Sequence, residues 1–244
     1  MDRMIYLSMA GAKANFAQQE VLANNLANVS TTGFRAELHA LRAVPVRGDG
    51  ASTRVYSLET TVGYDDSAGT MTPTNRPLDV AIMGKSWMAV QGLDGTEAYT
   101  RAGHLMTDNQ GNLVTAEGLQ VLGDGGPITV PVGTEPSIAS DGTVSARARN
   151  GTSQQIGRIK MVTPETKLER GEDGLFRSAD GAALPVDETA RLQDGVLEGS
   201  NVNAVETMVH MIAAQRQYET QVRMLQTAEQ NEKTAAQLLS ANGA

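Results

Sequence analysis

The stretch DVAIMGKS, residues 79–86, comes nearest to a phosphate cradle in this sequence. Its Gly84-Lys85-Ser86 matches the end of the G-x-x-x-x-G-K-[ST] loop, but Asp79 stands where the first glycine belongs. That glycine helps turn backbone amides toward phosphate, and a carboxylate in its place repels the ligand. The run after Ser86 is strand-like, so the stretch reads as a strand ending in a turn at Gly84. The glycine cluster GDGGP, residues 123–127, is too short for a dinucleotide fingerprint and closes on a proline. His39, His104 and His210 fall in three different zones and make no metal-ligand spacing. There is no cysteine, which excludes disulfides and thiolate sites. No G-x-S-x-G elbow occurs. The acidic pairs Asp65-Asp66 and Glu172-Asp173 lie in turn-rich stretches and read as solvated turns.

What remains is the chemistry of amides and hydroxyls, concentrated in two phrases: VLANNLANVSTTGFR, residues 21–35, and EGSNVNAVE, residues 198–206. Asn24, Asn25 and Asn28 can each donate and accept, and Ser30, Thr31 and Thr32 do the same at shorter reach. A neutral amide satisfies a buried partner without the desolvation penalty of a charge. Gly33 suits a left-handed exit from a helix. Asn201 and Asn203 would play the matching part where a second helix begins. Ordinary capping accounts for one or two of these residues but not for the whole run.

These phrases must be held by helices. Over residues 2–29, Ile5, Met9, Ala12, Phe16, Ala23 and Leu26 recur at helical spacing, with Gln19 the polar member of the series. Leu7, Ala10, Ala14, Ala17 and Val21 form a second stripe on another face. One apolar stripe suffices for a helix in a single globular domain, so two suggest contact on more than one side. Over residues 203–241, Val205, Met208, Met211, Tyr218, Val222, Leu225, Ala228, Ala235 and Leu239 recur at helical spacing, interrupted by Gln215 and Glu232. Asn203 with Glu206 reads as a capping pair. A helix that long favours a coiled coil, and the two terminal helices are each other's obvious partners.

All eight prolines and 23 of the 25 glycines lie between residues 33 and 199. The middle therefore reads as β structure. DVAIM, SWMAVQ, EAYTR, HLMTD, NLVTA, LQVLG and ITVPV are short β-type runs, separated by turn signals at Asp94-Gly95, Gln110-Gly111, Glu117-Gly118 and Asp124-Gly125. Asp-Gly occurs seven times, at 49, 94, 124, 141, 173, 180 and 194, a strong hairpin signal. Residues 34–71 are less regular and read as an extended or partly disordered connection with short strands. The net charge of −8 argues against blanket phosphate neutralisation and hence against nucleic-acid binding. No run reaches 18 apolar residues, so no transmembrane helix is expected. The start, MDRMIYLSMAGAKA, resembles a signal peptide weakly; Asp2 and Ser8 break the pattern, and it reads as the beginning of a helix.

QQEVLANNLANVSTTGF, residues 18–34, resembles the N-terminal signature of the flagellar rod and hook proteins. LEGSNVNAVETMVHMIAAQRQYE, residues 197–219, is similar to their C-terminal signature. RPLDVAI, AYTRAGHLMTDNQGNLVTAEGLQVLG and GPITVP resemble the family's β domain, so the likeness covers nearly the whole chain. It implies an α+β fold: long N- and C-terminal helices forming an antiparallel coiled-coil-like pair, with an all-β domain of short hairpins between them. The expected divisions are 1–33 for the first helix, 34–71 for the connection, 72–195 for the β domain and 196–244 for the second helix. The resemblance further implies a structural axial subunit of the basal-body rod, without enzymatic activity or cofactor. Room for only one modest β domain disfavours the hook and hook-associated proteins, and MDRMIYLSMAG, FRAELHALRAVPV and GVLEGSNV most resemble the proximal rod, with the distal rod as the alternative. Such a subunit would be exported without a cleaved signal peptide and would assemble in the periplasm into a helical tube that transmits torque and encloses the export channel. Its implied partners are copies of itself, other rod proteins and the flagellar export apparatus, with neither nucleic-acid binding nor direct membrane insertion. The residues expected to carry assembly are Asn24, Asn25, Leu26, Asn28, Ser30, Thr32, Gly33, Phe34, Asn201, Asn203, Met208, Ile212, Tyr218, Val222 and Leu225. A reading of another class, drawn from the residues alone, is a periplasmic carbohydrate-binding or enzymatic module dimerised by its terminal helices.

Overall fold

A computed structural model describes residues 2–45, 55–149 and 151–241. The breaker-poor ends form two helices, α1 at Asp2–Ala27 and α2 at Ala204–Ala241. Between them lie short antiparallel strands, which makes the fold α+β. The chain divides into two compact units. One holds residues 1–27, 37–64 and 203–244; the other holds residues 28–36 and 65–202.

In the first unit α1 packs against α2. Gly11 faces the end of the Gln221 side chain, while the C-terminal end of α1 and the N-terminal end of α2 adjoin segments that hydrogen-bond to one another. Moving up one helix thus means moving down the other, and the pair is antiparallel. The 38 residues of α2 span roughly 57 Å at 1.5 Å per residue. Asn203 caps it, its Oδ1 accepting from the amides of Val205 at 3.1 Å and Glu206 at 3.3 Å. The covered line on α2 runs through Thr207, Met211, Ala214, Gln221, Leu225 and Ala228, at alternating steps of three and four with Tyr218 at the open step. That is a coiled-coil spacing. Among the described side chains of α1, those buried are Ser8, Ala14, Asn15 and Asn25.

The two apolar stripes expected on α1 meet different fates. Ala14 of the second stripe is buried, whereas Met9 and Phe16 of the first stand 55% and 54% exposed. Residues 34–71, expected as an extended connection with short strands, carry a two-stranded antiparallel hairpin, β1 at Glu37–Pro45 and β2 at Val55–Tyr64, which packs beside α1. Asp49-Gly50 lies outside the described residues.

The second unit is built from hairpins. Its largest sheet orders the strands Met161–Val162, Trp87–Gln91, Glu97–Thr100, Phe176–Arg177 and Glu169–Arg170. A second sheet joins Glu135–Ile138, Thr143–Arg147 and Ser153–Arg158. Asp94-Gly95, Asp141-Gly142 and Asp173-Gly174 close hairpins, with the glycine in the left-handed region each time. At Asp124-Gly125 the positive φ falls one residue later, on Gly126. Asp194-Gly195 closes no hairpin: it carries the chain from one strand pair, Leu192–Asp194 with Val80–Ile82, to the next, Val196–Glu198 with Met71–Pro73. ITVPV is not a strand. Only an isolated bridge at Thr129 pairs there, because Pro131 has no N–H to extend a ladder. Val80, Ile82, Met88, Val90, Leu105, Leu113, Val121, Val144, Ile159 and Met161 make a core without appreciable solvent exposure. Trp87 and Phe176 pack tilted at 4.5 Å between ring centroids.

Candidate assembly site

The phosphate-like stretch is closed to ligands by its own contacts. Val80–Ile82 is a buried strand that ends in a left-handed turn at Gly84. Asp79 is buried and paired with Arg76 and His104, each at 3.0 Å. Ser86 hydrogen-bonds the Thr163 hydroxyl at 2.8 Å, and Thr163 donates on to Asp187. Among the described residues no three histidine, aspartate or glutamate side chains converge on a point that could hold a metal, and no helix is long and apolar enough to cross a membrane.

The amide-rich phrases bind the chain's own backbone. Where α1 ends, the Asn25 amide accepts from the Glu37 N–H at 2.8 Å and donates to the Glu37 carbonyl at 2.9 Å. This two-way clasp satisfies both peptide groups of Glu37, where β1 begins. Asn24 reaches the Glu37 carboxylate at 2.9 Å. Asn28 accepts from the Thr31 hydroxyl at 3.1 Å, and its carbonyl accepts the Thr31 amide at the same distance. Within the second unit, Asn201 accepts the Ala36 amide at 2.7 Å and donates to the carbonyls of Asp65 and Ser67 at 3.1 and 3.0 Å. Ser30 is exposed and Thr32 half-buried.

Gly33 has the left-handed conformation expected of it, with φ 71°. Its reason differs, because α1 stops six residues earlier at Ala27. A Cβ on Gly33 would lie 2.3 Å from the backbone carbonyl of Arg101, so the position is fixed by close backbone approach rather than by helix capping. The Gly33 amide donates to the Glu198 carbonyl at 2.7 Å, and the Asn201 amide to the Phe34 carbonyl at 3.3 Å. The segments that lead out of α1 and into α2 are thereby stapled to each other. Phe34 is buried under the Arg170 guanidinium, 4.4 Å from its ring centroid.

Beneath this staple lies a charge network that motif reasoning missed. Glu198 is 1% exposed and accepts from Arg35 at 2.9 Å on one oxygen and from Arg101 at 2.8 Å on the other. The Gly69 amide adds a third donor at 3.1 Å. Arg101 also donates to the carbonyls of Ile82, Gly84 and Ser86, and Arg35 to that of Ser67. Burial first, then the neighbouring Arg101 guanidinium, hold Arg35 below the ordinary arginine range despite the opposing pull of Glu198. The available signal was placement: Arg35 ends the first amide-rich phrase, Glu198 opens the second, and Arg101 ends a β run.

Several large apolar residues of the helices face outward. Tyr6, Met9 and Phe16 lie along one exposed face of α1, each at least half exposed. Val205, Met208, Val209 and Ile212 crowd the first two turns of α2, with Val205 72% and Ile212 52% exposed. Tyr218 is at the margin of exposure, and Leu26, Val222 and Leu225 are half-buried.

Three family models match this chain. "Flagella basal body rod protein" covers residues 5–35, "Flagellar hook protein FlgE/F/G D1 domain" covers 81–146, and "Flagellar basal body rod FlgEFG protein C-terminal" covers 193–238. The flagellar basal-body rod proteins FlgF of Escherichia coli and Salmonella typhimurium are 47% and 46% identical to it, over 98% of this chain and 99% of theirs. The rod protein FlgG of Bacillus subtilis is 32% identical over 94% of this chain and 96% of its own. The matched ends contain both stapled segments and the exposed apolar turns of each helix, and with relatives this similar over almost their whole length the chain belongs to the flagellar basal-body rod FlgEFG family, whose members are structural rod proteins and not enzymes.

Proposed function

We propose that this rod protein is the counterpart of FlgF, a proximal-rod subunit that assembles with copies of itself and with neighbouring rod proteins through its terminal helices. The observation that carries the reading is the outward apolar face of α1 and α2, in a chain whose β unit closes a core of its own while leaving Leu93 and Val132 bare. Exposed Val205, Met208, Val209 and Ile212 form a contiguous i, i+3, i+4, i+7 patch, and burying such a patch between subunits is favourable by about 25 cal/mol per Å² of apolar surface. The higher identity to FlgF of Escherichia coli and Salmonella typhimurium than to FlgG of Bacillus subtilis supports the proximal over the distal position. Helices packed into a tube wall around the export channel and passing torque along it accord with the same reading, as does delivery by the flagellar export apparatus.

The test is complementation of a strain lacking this gene. The wild-type chain should restore swimming. Met208→Ser with Ile212→Ser should not, although the purified variant should melt within a degree or two of the wild type. Full motility with the doubly substituted chain would remove the helix face from assembly. A fragment of residues 65–202 should be soluble, monomeric and β-rich, and should not restore motility. Swimming with the fragment alone would place assembly in the β unit.

A further inference from the structure

Arg35, Arg101 and Glu198 reach one buried point from three distant places in the sequence, each no more than 3% exposed. The stoichiometry is unequal: two guanidiniums face one carboxylate. Arg101 is anchored independently, since three carbonyls of residues 82–86 accept from it. Arg35 has the Ser67 carbonyl and Glu198. A chain made from its N terminus presents both arginines before the glutamate exists.

We propose that Glu198 is a late counter-ion that gates docking of residues 28–36: until it arrives, buried Arg101 repels Arg35 and the segment leading out of α1 stays undocked. When strand Val196–Glu198 pairs with Met71–Pro73, the carboxylate enters between the guanidiniums. The bonds from Gly33 to Glu198 and from Asn201 to Phe34 then close together. The lead-out of α1 and the lead-in of α2 become fixed in the same step, so a chain holds both helix roots or neither. Like charges brought together in a low-dielectric interior repel strongly, and an ion pair broken at one member leaves a buried charge uncompensated. That is what makes the gate steep.

Hydrogen exchange on the full chain tests this. Glu198→Gln keeps the shape and removes the charge. Protection of the Gly33 and Ala36 amides should fall on the order of 100-fold, while Leu113 and Val121 in the β core keep theirs. Adding Arg35→Met to Glu198→Gln removes one of the two uncompensated cations, and with it the Arg35–Arg101 repulsion, and should restore most of that protection. Unchanged protection in Glu198→Gln, loss spread equally to Leu113 and Val121, or a double variant as loose as the single would each overturn the gate. Arg35→Met alone leaves a one-to-one Arg101–Glu198 pair and therefore folds whatever becomes of the other variants. In pulse-labelled refolding of the wild type, the Asp65 amide, which donates to the Ala36 carbonyl, should gain protection together with the Gly199 amide, which donates to Thr70. In Arg35→Met the Asp65 amide should lead. Identical ordering in the two proteins would show that no charge gate exists.

Discussion

The helical unit and the β unit differ in how they cover their large apolar residues. In the β unit Val80, Leu105, Leu113 and Val121 are wholly covered and the buried charges are paired. In the helical unit the buried line of α1 carries Ser8, Asn15 and Asn25, while Met9 and Phe16 face out. On α2 Thr207 and Ala214 are buried while Val205 and Ile212 are bare. A solitary coiled coil would put its large apolar residues at the seam. Here the covered line on α2 mixes Thr207, Ala214, Gln221 and Ala228 with half-buried Met211 and Leu225, which leaves the bare apolar residues available to other subunits. Stability of the isolated chain should therefore reside in one unit and assembly in the other.

The strongest way to break that division is to cut a core side chain in one unit and a bare one in the other. Leu113→Ala should destabilise the β unit by about 2–5 kcal/mol, as large-to-small core changes do. Phe16→Ser should leave the melting of the purified monomer within about 0.5 kcal/mol, as surface changes do, and yet abolish motility. Equal destabilisation by both, measured by urea melts of the monomer, would mean that the α1 face is already part of a closed core.

A second pair contrasts two glycines. Gly33→Val introduces a left-handed β-branched residue, costing about 1–2 kcal/mol, and drives its Cβ against the Arg101 carbonyl, an overpacking that adds roughly 1–3 kcal/mol. Gly11→Ala meets only the flexible end of Gln221 at 3.1 Å. The helix gains about 0.5–1 kcal/mol from losing its glycine, so the net change should be small. Motility plates and thermal melts should rank Gly33→Val far below Gly11→Ala; equal swarming by both would show that the close approach at residue 33 has no consequence.

Much of this was legible in the sequence for definite reasons. The distribution of prolines and glycines marks where helices cannot run, and it delimits α1, α2 and the hairpin-rich middle. Asp-Gly marks turns reliably, but not what a turn joins, which is why Asp194-Gly195 reads as a hairpin and is a crossing between strand pairs. The side of α1 that is covered was not legible, because apolar periodicity identifies a buried face only when the chain folds alone. The Arg35–Glu198–Arg101 network was hidden for another reason: each member sits singly in its own stretch, and they meet only in the folded unit, where the strand that carries Glu198 pairs with Met71–Pro73.

The smallest expected effect concerns acid. Hydrogen bonds from the Thr163 hydroxyl, then from the Thr189 hydroxyl and amide, hold the Asp187 carboxyl down to about 2. An unfolded aspartate titrates near about 3.9. A carboxyl depressed in the folded state contributes stability that is fully present above the unfolded value and is lost as pH falls through the folded one. The contribution of Asp187 should thus fade between about pH 4 and pH 2. Asp65, Asp94, Asp108, Asp141 and Asp173, all in turns of the β unit, are lowered by the same kind of hydroxyl, amide or guanidinium donor, so Asp187 is one of several and removing it should blunt the acid response only in part. Asp187→Asn should make the melting temperature of the 65–202 fragment fall less steeply across that window, with a loss at pH 7 smaller than that of Leu113→Ala or Gly33→Val. An unchanged slope in the variant would show that the Thr163 and Thr189 contacts do not distinguish the ionised carboxylate from an amide.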